Sequence, residues 1–217
     1  MDKTRASADH ETRLQAPDTV TQTEAAIRSA WDRADFRLAA TLLVDAYGSE
    51  ILGFLAAWMD SRGRASEAFS MFMEDLWVGL PSFGWRCTAR GWAYTLARNA
   101  ARRHARNERR CRHEPLPNDT VSALIDRAHT RTAPYLNTAV KQRMLLLRQR
   151  LSPDDQSLLI LRVNRQLPWT ELAVVLSDDG LRASNPELAR EAARLRKRFQ
   201  FIKARLKKLA RAEGLID

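Results

Sequence analysis

Arginines recur at Arg98, Arg102, Arg106 and Arg109, at steps of four and three. On a helix that spacing lines four guanidinium groups along one side, and Arg103 and Arg110 flank it. The stretch WAYTLARNAARRHARNERR, residues 92–110, holds six arginines and one acid, Glu108, and opens with Trp92 and Tyr94. Cations hold a phosphate backbone, and aromatic rings stack on bases that have left a duplex. Such a helix suits a partly unpaired DNA strand. Trp92 and Leu96 share a stripe that also suits a core, whereas Tyr94 points elsewhere.

A second basic segment lies near the C-terminus. Leu188, Ala192, Leu195, Phe199, Ile202, Leu206 and Leu209 alternate at steps of four and three, which predicts one long helix with a continuous buried seam. Off that seam stand Arg190, Arg194, Arg196, Lys197, Arg198, Lys203, Arg205, Lys207 and Lys208, and Glu191 is the only acid between Arg190 and Arg211. Arginine makes paired hydrogen bonds to guanine edges, and both cations neutralise phosphates. A short helix, ELAVVL, and a turn precede this segment, the order of a helix-turn-helix. A solvated charged face on an amphipathic helix is the competing reading.

The elements that must position these residues are helical throughout. The chain has 217 residues, an apolar fraction of 45% and a net charge of +10, which suits one or two small domains and a polyanionic partner. Residues 1–22 are polar and read as a mobile tail. From Glu24 the apolar residues keep helical spacing: Ile27 and Trp31, then Phe36 to Tyr47, then Ile51 to Trp58. SRGR, residues 61–64, reads as a turn. AFSMFMEDLW follows as a helix with Phe69, Phe72, Met73 and Leu76 on one stripe, and Pro81 and Gly84 break it. The arginine helix starts near Thr88. EPLPND, residues 114–119, opens a linker. Beyond it, Ser152 and Pro153 open one helix, with Asp154 and Asp155 favouring its positive start, and Ser184 to Glu187 open the last. No strand pattern of convincing length appears. The expected fold is all-α: a helical domain over 23–113, a flexible linker over 114–135 and a second helical domain over 136–217.

The segment from Tyr47 to Arg106 resembles region two of the extracytoplasmic-function sigma factors of bacterial RNA polymerase. Trp77 and Phe83 keep that family's spacing, and Trp92, Tyr94, Leu96, Ala97 and Asn99 match its Trp-Leu-Tyr-x-Ile-Ala-x-Asn helix. The linker and second half resemble its region four, so the likeness spans about residues 36–212. It departs from the family at Ser70 and Met71, where a Gln-Glu pair is usual, and in SDDGLRASNP (177–186), which is longer than the usual turn and lacks its Gly-Thr pair.

The resemblance implies a set of roles. Glu67, Phe72, Glu74, Asp75 and Trp77 would dock on the clamp coiled coil of the β′ subunit of core RNA polymerase, with Trp77 also anchoring the fold. The loop from Phe83 to Arg90, with Arg86 and Thr88, would hold a flipped base of the promoter −10 element. Trp92, Tyr94, Arg98, Asn99, Arg102, Arg103 and Arg106 would open and bind that element. Arg190, Arg194, Arg196, Lys197, Arg198 and Lys203 would read the −35 element, and the linker would thread the β and β′ surfaces. An anti-sigma factor is a possible further partner.

Other chemistry finds little support. There is no Walker loop, no Gly-x-Gly-x-x-Gly and no Gly-x-Ser-x-Gly elbow, so an enzyme is not expected, nor a cofactor. Cys111 and His113, with His104 and Cys87, form one Cys-x-His pair amid arginines rather than the paired clusters of structural zinc, and no metal is expected. Uninterrupted apolar runs fall short of the roughly 18 residues of a membrane span, the start carries no secretory pattern, and two cysteines make no disulfide framework. The expected location is the cytoplasm. A stand-alone helix-turn-helix regulator, an RNA-binding protein and a basic adaptor remain as alternatives.

Overall fold

The computed structural model of the protein describes residues 16–59, 61–110, 146–177 and 183–215. Among these there is no strand, in agreement with the all-α expectation. The described residues include seven bounded α-helices, α1 Ala16–Asp32, α2 Phe36–Met59, α3 Arg62–Gly79, α4 Ala89–Arg110, α5 Pro153–Leu159, α6 Trp169–Leu176 and α7 Asn185–Ala212, and a further helical stretch over 146–149. A 3-10 turn, Leu80–Ser82, ends α3, and a π-helical turn, Ile160–Asn164, continues α5.

Helix α2 is the central rod. Leu43, Ile51, Leu52, Phe54 and Leu55 on it have no exposed surface, and α1, α3 and α4 pack around it. It is also long and apolar enough to cross a membrane by length and composition, which the short uninterrupted runs did not suggest. Its burial among the other helices is what a core helix shows. Asp35 opens it by accepting from Leu38 N at 3.0 Å. Before that, α1 ends in a left-handed residue, Ala34 at φ 58°. Asp35 N bonds to Ala30 O and Ala34 N to Trp31 O, the paired bonds of a helix C-cap where glycine is the usual occupant.

Three local expectations need correction. The stretch from Ala16 to Gln22, expected in the tail, is helical; α1 holds on through the buried Ile27 and Ala30, and Trp31 Nε1 donates to Leu80 O at 2.8 Å. Arg62 to Arg64, expected as a turn, is the first turn of α3, because the Ser61 hydroxyl caps Arg64 N. Trp77 is not a core anchor: it is 58% exposed, one step round the helix from the buried Leu76.

The second half does not stand apart as a separate bundle. Helix α6 lies against α4, α5 touches α2, and one continuous cluster of buried apolar side chains takes in Phe54, Phe72 and Tyr94 with Leu158, Leu172 and Leu195. The segment read as the linker, 114–135, lies outside the described residues. Helix α7 closes the second half with its expected seam: Ala192, Leu195, Phe199 and Ile202 are buried. Glu187 reaches back to Ser184 N at 2.7 Å and completes a capping box.

Two substitutions on α3 separate core from surface. Phe72→Ala, at a position with no exposed surface, is expected to cost about 3–5 kcal/mol, and Trp77→Ala less than about 1 kcal/mol. Urea denaturation of the two variants checks the difference, and a large loss for Trp77→Ala would contradict the exposed placement.

Candidate nucleic-acid interface

Helix α4 starts on borrowed acceptors. Its first amides would be unsatisfied, and Glu24 of α1 takes them: Ala89 N lies 2.7 Å from Oε2 and Arg90 N 2.9 Å from Oε1. Thr88 Oγ1 accepts from Gly91 N at 3.0 Å and donates to Glu171 of α6 at 2.9 Å. A carboxylate at this end also suits the positive pole of the helix.

Along α4 the cations meet carboxylates from other helices. Arg90 donates to Glu50 of α2 at 2.9 and 3.2 Å and to Arg165 O at 3.1 Å. Tyr94 has no exposed surface, and its hydroxyl donates to the same Glu50 oxygen at 3.1 Å. Burial first, then the Glu50 charge, pushes the Tyr94 phenol well above its usual range, so it stays a donor. Arg98 is 3% exposed; it donates to Asp154 at 3.1 Å and to Val175 O at 3.4 Å. Arg102 shares Asp154, at 3.0 and 3.3 Å. Arg103 pairs with Asp75 at 2.8 Å, and His104 Nε2 lies 2.7 Å from Glu67. Asp154 is held below the usual carboxylate range: hydrogen bonding by Arg98 and the charge of Arg102 outweigh its partial burial.

The residues expected at the −10 element therefore divide. Asn99, Arg106 and Arg86 are exposed. Tyr94, Arg98 and Trp92 are buried, and Arg90, Arg102 and Arg103 are engaged by Glu50, Asp154 and Asp75. The exposed side expected of Tyr94 and of the arginine row is a packed one at Tyr94 and Arg98. Periodicity put the arginines on one side correctly, but it had no means of showing which helix covers that side. Asp154 was read as a helix-start carboxylate only, and Glu24, Glu50 and Glu171 drew no attention, because each lies 40 or more residues from the group it meets at this helix.

The loop before α4 forms an aromatic wall. Phe83 stacks on Trp92 at 4.5 Å and 16° between planes, and tilts against Trp85 at 4.7 Å. Trp85 sits in the left-handed region, φ 51°, with the Arg28 guanidinium 4.6 Å over its ring. Beside the stack opens a pocket of about 450 Å³, lined by Gly79, Ser82, Phe83, Gly84, Arg86, Trp92 and Leu96. A Cβ on Gly79 would come 3.1 Å from the Trp92 ring, so the close pass of α3 over Trp92 relies on the missing side chain. Phe83 itself is 4% exposed, so it walls the pocket rather than projecting from the loop.

On α3, Phe72 is buried and makes no direct surface for a partner, which corrects its docking role. Glu74 and Trp77 are exposed, while Glu67 and Asp75 are tied to α4.

Helix α7 shows a different arrangement. Arg196 lies 5.8 Å over Trp169, Lys203 lies 5.3 Å over Phe199, and Arg198 bonds Asp155 of α5 at 2.6 Å. Arg196 and Arg198 thus reach the other helices of the second half, whereas Lys203 lies over a ring of its own helix. Arg190, Arg194, Lys197 and Phe201, at steps of four, three and four, run along the line opposite the seam. Arg194 there pairs with Glu191 at 3.0 Å, and Phe201 is 65% exposed. Sequence reasoning passed over Phe201, although its step of four from Lys197 was visible.

No group of three or more His, Cys, Asp or Glu residues suited to a metal occurs among the described residues, and Cys111 and His113 lie outside them. Comparison with protein families, curated proteins and solved structures gives no match.

Burial, then the nearby charges of Glu171 and Glu24, push the Cys87 thiol up to about 12. The thiolate is the reactive form. In a Cys111→Ser background at pH 8.5, iodoacetamide should alkylate native Cys87 roughly a thousandfold more slowly than in urea, given an ordinary thiol pKa of about 8.5. Equal rates would mean that the 83–90 loop does not bury the thiol.

Proposed function

We propose that this protein is a bacterial transcription initiation factor of the extracytoplasmic-function sigma type. It binds core RNA polymerase and directs it to promoters, with α4 and the 83–90 loop serving the −10 element and α7 the −35 element. The chain has no catalysis of its own in this reading; polymerase makes the RNA, in the cytoplasm. The observation that carries the proposal is α7: a 28-residue helix whose seam packs on α5 and α6 in helix-turn-helix order, while its far side presents Arg190, Arg194 and Lys197 to solvent. A duplex reader needs a rigid basic helix with one face free. The aromatic pocket beside Phe83 and Trp92 supports the assignment of a flipped base to that loop, since an extruded base needs an apolar wall and nearby positive charge. The exposed Trp77, with Val78 at 77% exposure, supports a docking role for the end of α3.

A stand-alone duplex-binding regulator is the second reading. It draws on one observation: α7 is exposed, whereas Tyr94 and Arg98 are not. Run-off transcription from fragmented host DNA separates the two. Discrete transcripts that need both core polymerase and this protein are the expected result. No dependent transcript, together with failure to co-elute with core polymerase, would leave the regulator reading in place.

Phe201 offers a sharper test of α7. An aromatic side chain in a major groove packs on the thymine methyl group. Replacing thymine by deoxyuridine in the −35 element, one position at a time, should weaken holoenzyme binding at one position about fourfold, the worth of one buried methyl-sized group at about 0.8 kcal/mol. The Phe201→Ala protein should lose that sensitivity. Equal sensitivity in both proteins would remove Phe201 from the groove.

A further inference from the structure

Helix α7 carries one acid on its basic side that the fold does not use. Among the described residues from 146 onwards, the other carboxylates have structural tasks. Asp154 meets Arg98 of α4, Asp155 meets Arg198 of α7, and Glu171 receives Thr88. Glu187 completes the capping box of α7, and Glu213 pairs with Arg150 at 3.1 Å. Glu191 meets only Arg194, one turn along its own helix, at 3.0 Å. A pair at that spacing adds little to a helix. On a helix that approaches phosphates, a carboxylate also works against binding. Its presence there calls for a ligand that donates.

The surroundings of the pair are open. Glu191, Arg194, Lys197, Arg198 and Phe201 border one groove of about 440 Å³, with the buried Leu195 at its base. The Arg194 side chain is 81% exposed and that of Glu191 29%. Both stand in the first half of α7, the part of a recognition helix that reaches base edges. The bond between them fixes Glu191 beside Arg194 and leaves its second oxygen, Oε1, free to accept.

The major groove has few partners for such a group. An ionised carboxylate only accepts, and the base groups that donate there are cytosine N4 and adenine N6. Adenine N6 lies between two acceptors, its own N7 and the thymine O4, and both would face the lone pairs of the carboxylate. Cytosine N4 stands at one end of its row, followed by guanine O6 and N7, which accept. Glu191 and Arg194 carry the complement of that row: an acceptor beside a pair of donors. We infer that Glu191 and Arg194 together read one C·G base pair, Glu191 accepting from cytosine N4 and Arg194 donating to guanine O6 and N7. Glu191 is then the residue that sets the specificity of α7 at that position. The inference rests on the proposed function for the presence of a duplex at α7, and it does not need polymerase.

The test is selection of binding sites from a random duplex library, with the full chain alone and in holoenzyme. Wild-type sites should carry one fixed C·G pair, favoured about tenfold over the other pairs. Glu191→Gln keeps the size of the side chain and adds a donor, which suits adenine; it should lose the cytosine and gain adenine at that position. N4-methylcytosine keeps its pair with guanine and puts a methyl group in place of the groove-facing N–H. Placed there, it should weaken wild-type binding about tenfold, the scale of one hydrogen bond to a charged group, and leave the Glu191→Ala protein nearly unaffected. The inference is overturned if the selected sites lack the fixed cytosine, if Glu191→Gln selects the same sites, or if both proteins respond alike to the methylated base. A motif without that cytosine removes the inference and leaves the duplex role of α7, whereas no motif under either condition removes both. A motif with the Glu191-dependent cytosine, selected by the chain alone and without transcripts in the run-off assay, keeps the inference and removes the sigma reading.

Discussion

Helix α4 carries a dense run of cations into the middle of a folded chain, and every other element in the first half answers it with a carboxylate. Glu24 comes from α1, Glu50 from α2, and Asp75 and Glu67 from α3. The second half contributes Asp154 from α5 and Glu171 from α6. A guanidinium such as Arg98, with 3% of its surface exposed, has no stable place without such a partner. The positions of five helices around α4 are thus tied to where the donors of this helix and of Thr88 before it fall.

These pairs are better understood as selectors of arrangement than as sources of net stability. Desolvation offsets much of what a buried ion pair gains, but removing one partner leaves a stranded charge. The favourable term comes from the apolar cluster that runs from α2 through α4 to α6 and α7. Within it, Phe54 meets Tyr94 edge to face at 5.6 Å, and Trp169 meets Phe199 likewise at 5.7 Å. Apolar burial makes the halves compact, and the carboxylates decide which side of α4 meets which helix.

Charge is handled in opposite ways at the two ends of the chain. On α4, Arg90, Arg98, Arg102 and Arg103 are paired with carboxylates of other helices. On α7 Arg196, Arg198 and Lys203 are steadied by Trp169, Asp155 and Phe199, yet the line from Arg190 to Phe201 stays on the surface. A basic chain that met nucleic acid through all its arginines at once would hold any polyanion it encountered.

The all-α class, the α7 seam, the Ser152–Pro153 start of α5 and the Ser184–Glu187 box were legible in the sequence because each depends on neighbours within about one helical turn. The arginine row on α4 was legible for the same reason. The tertiary structure alone decided that Arg98 is buried, that Trp77 is not, that Phe72 faces the core and that residues 16–22 continue a helix. Arg98 meets Asp154 56 positions away, and Thr88 meets Glu171 83 positions away. Periodicity states which residues share a side of a helix. Only the packing of one helix on another states whether that side faces water, a carboxylate or the core.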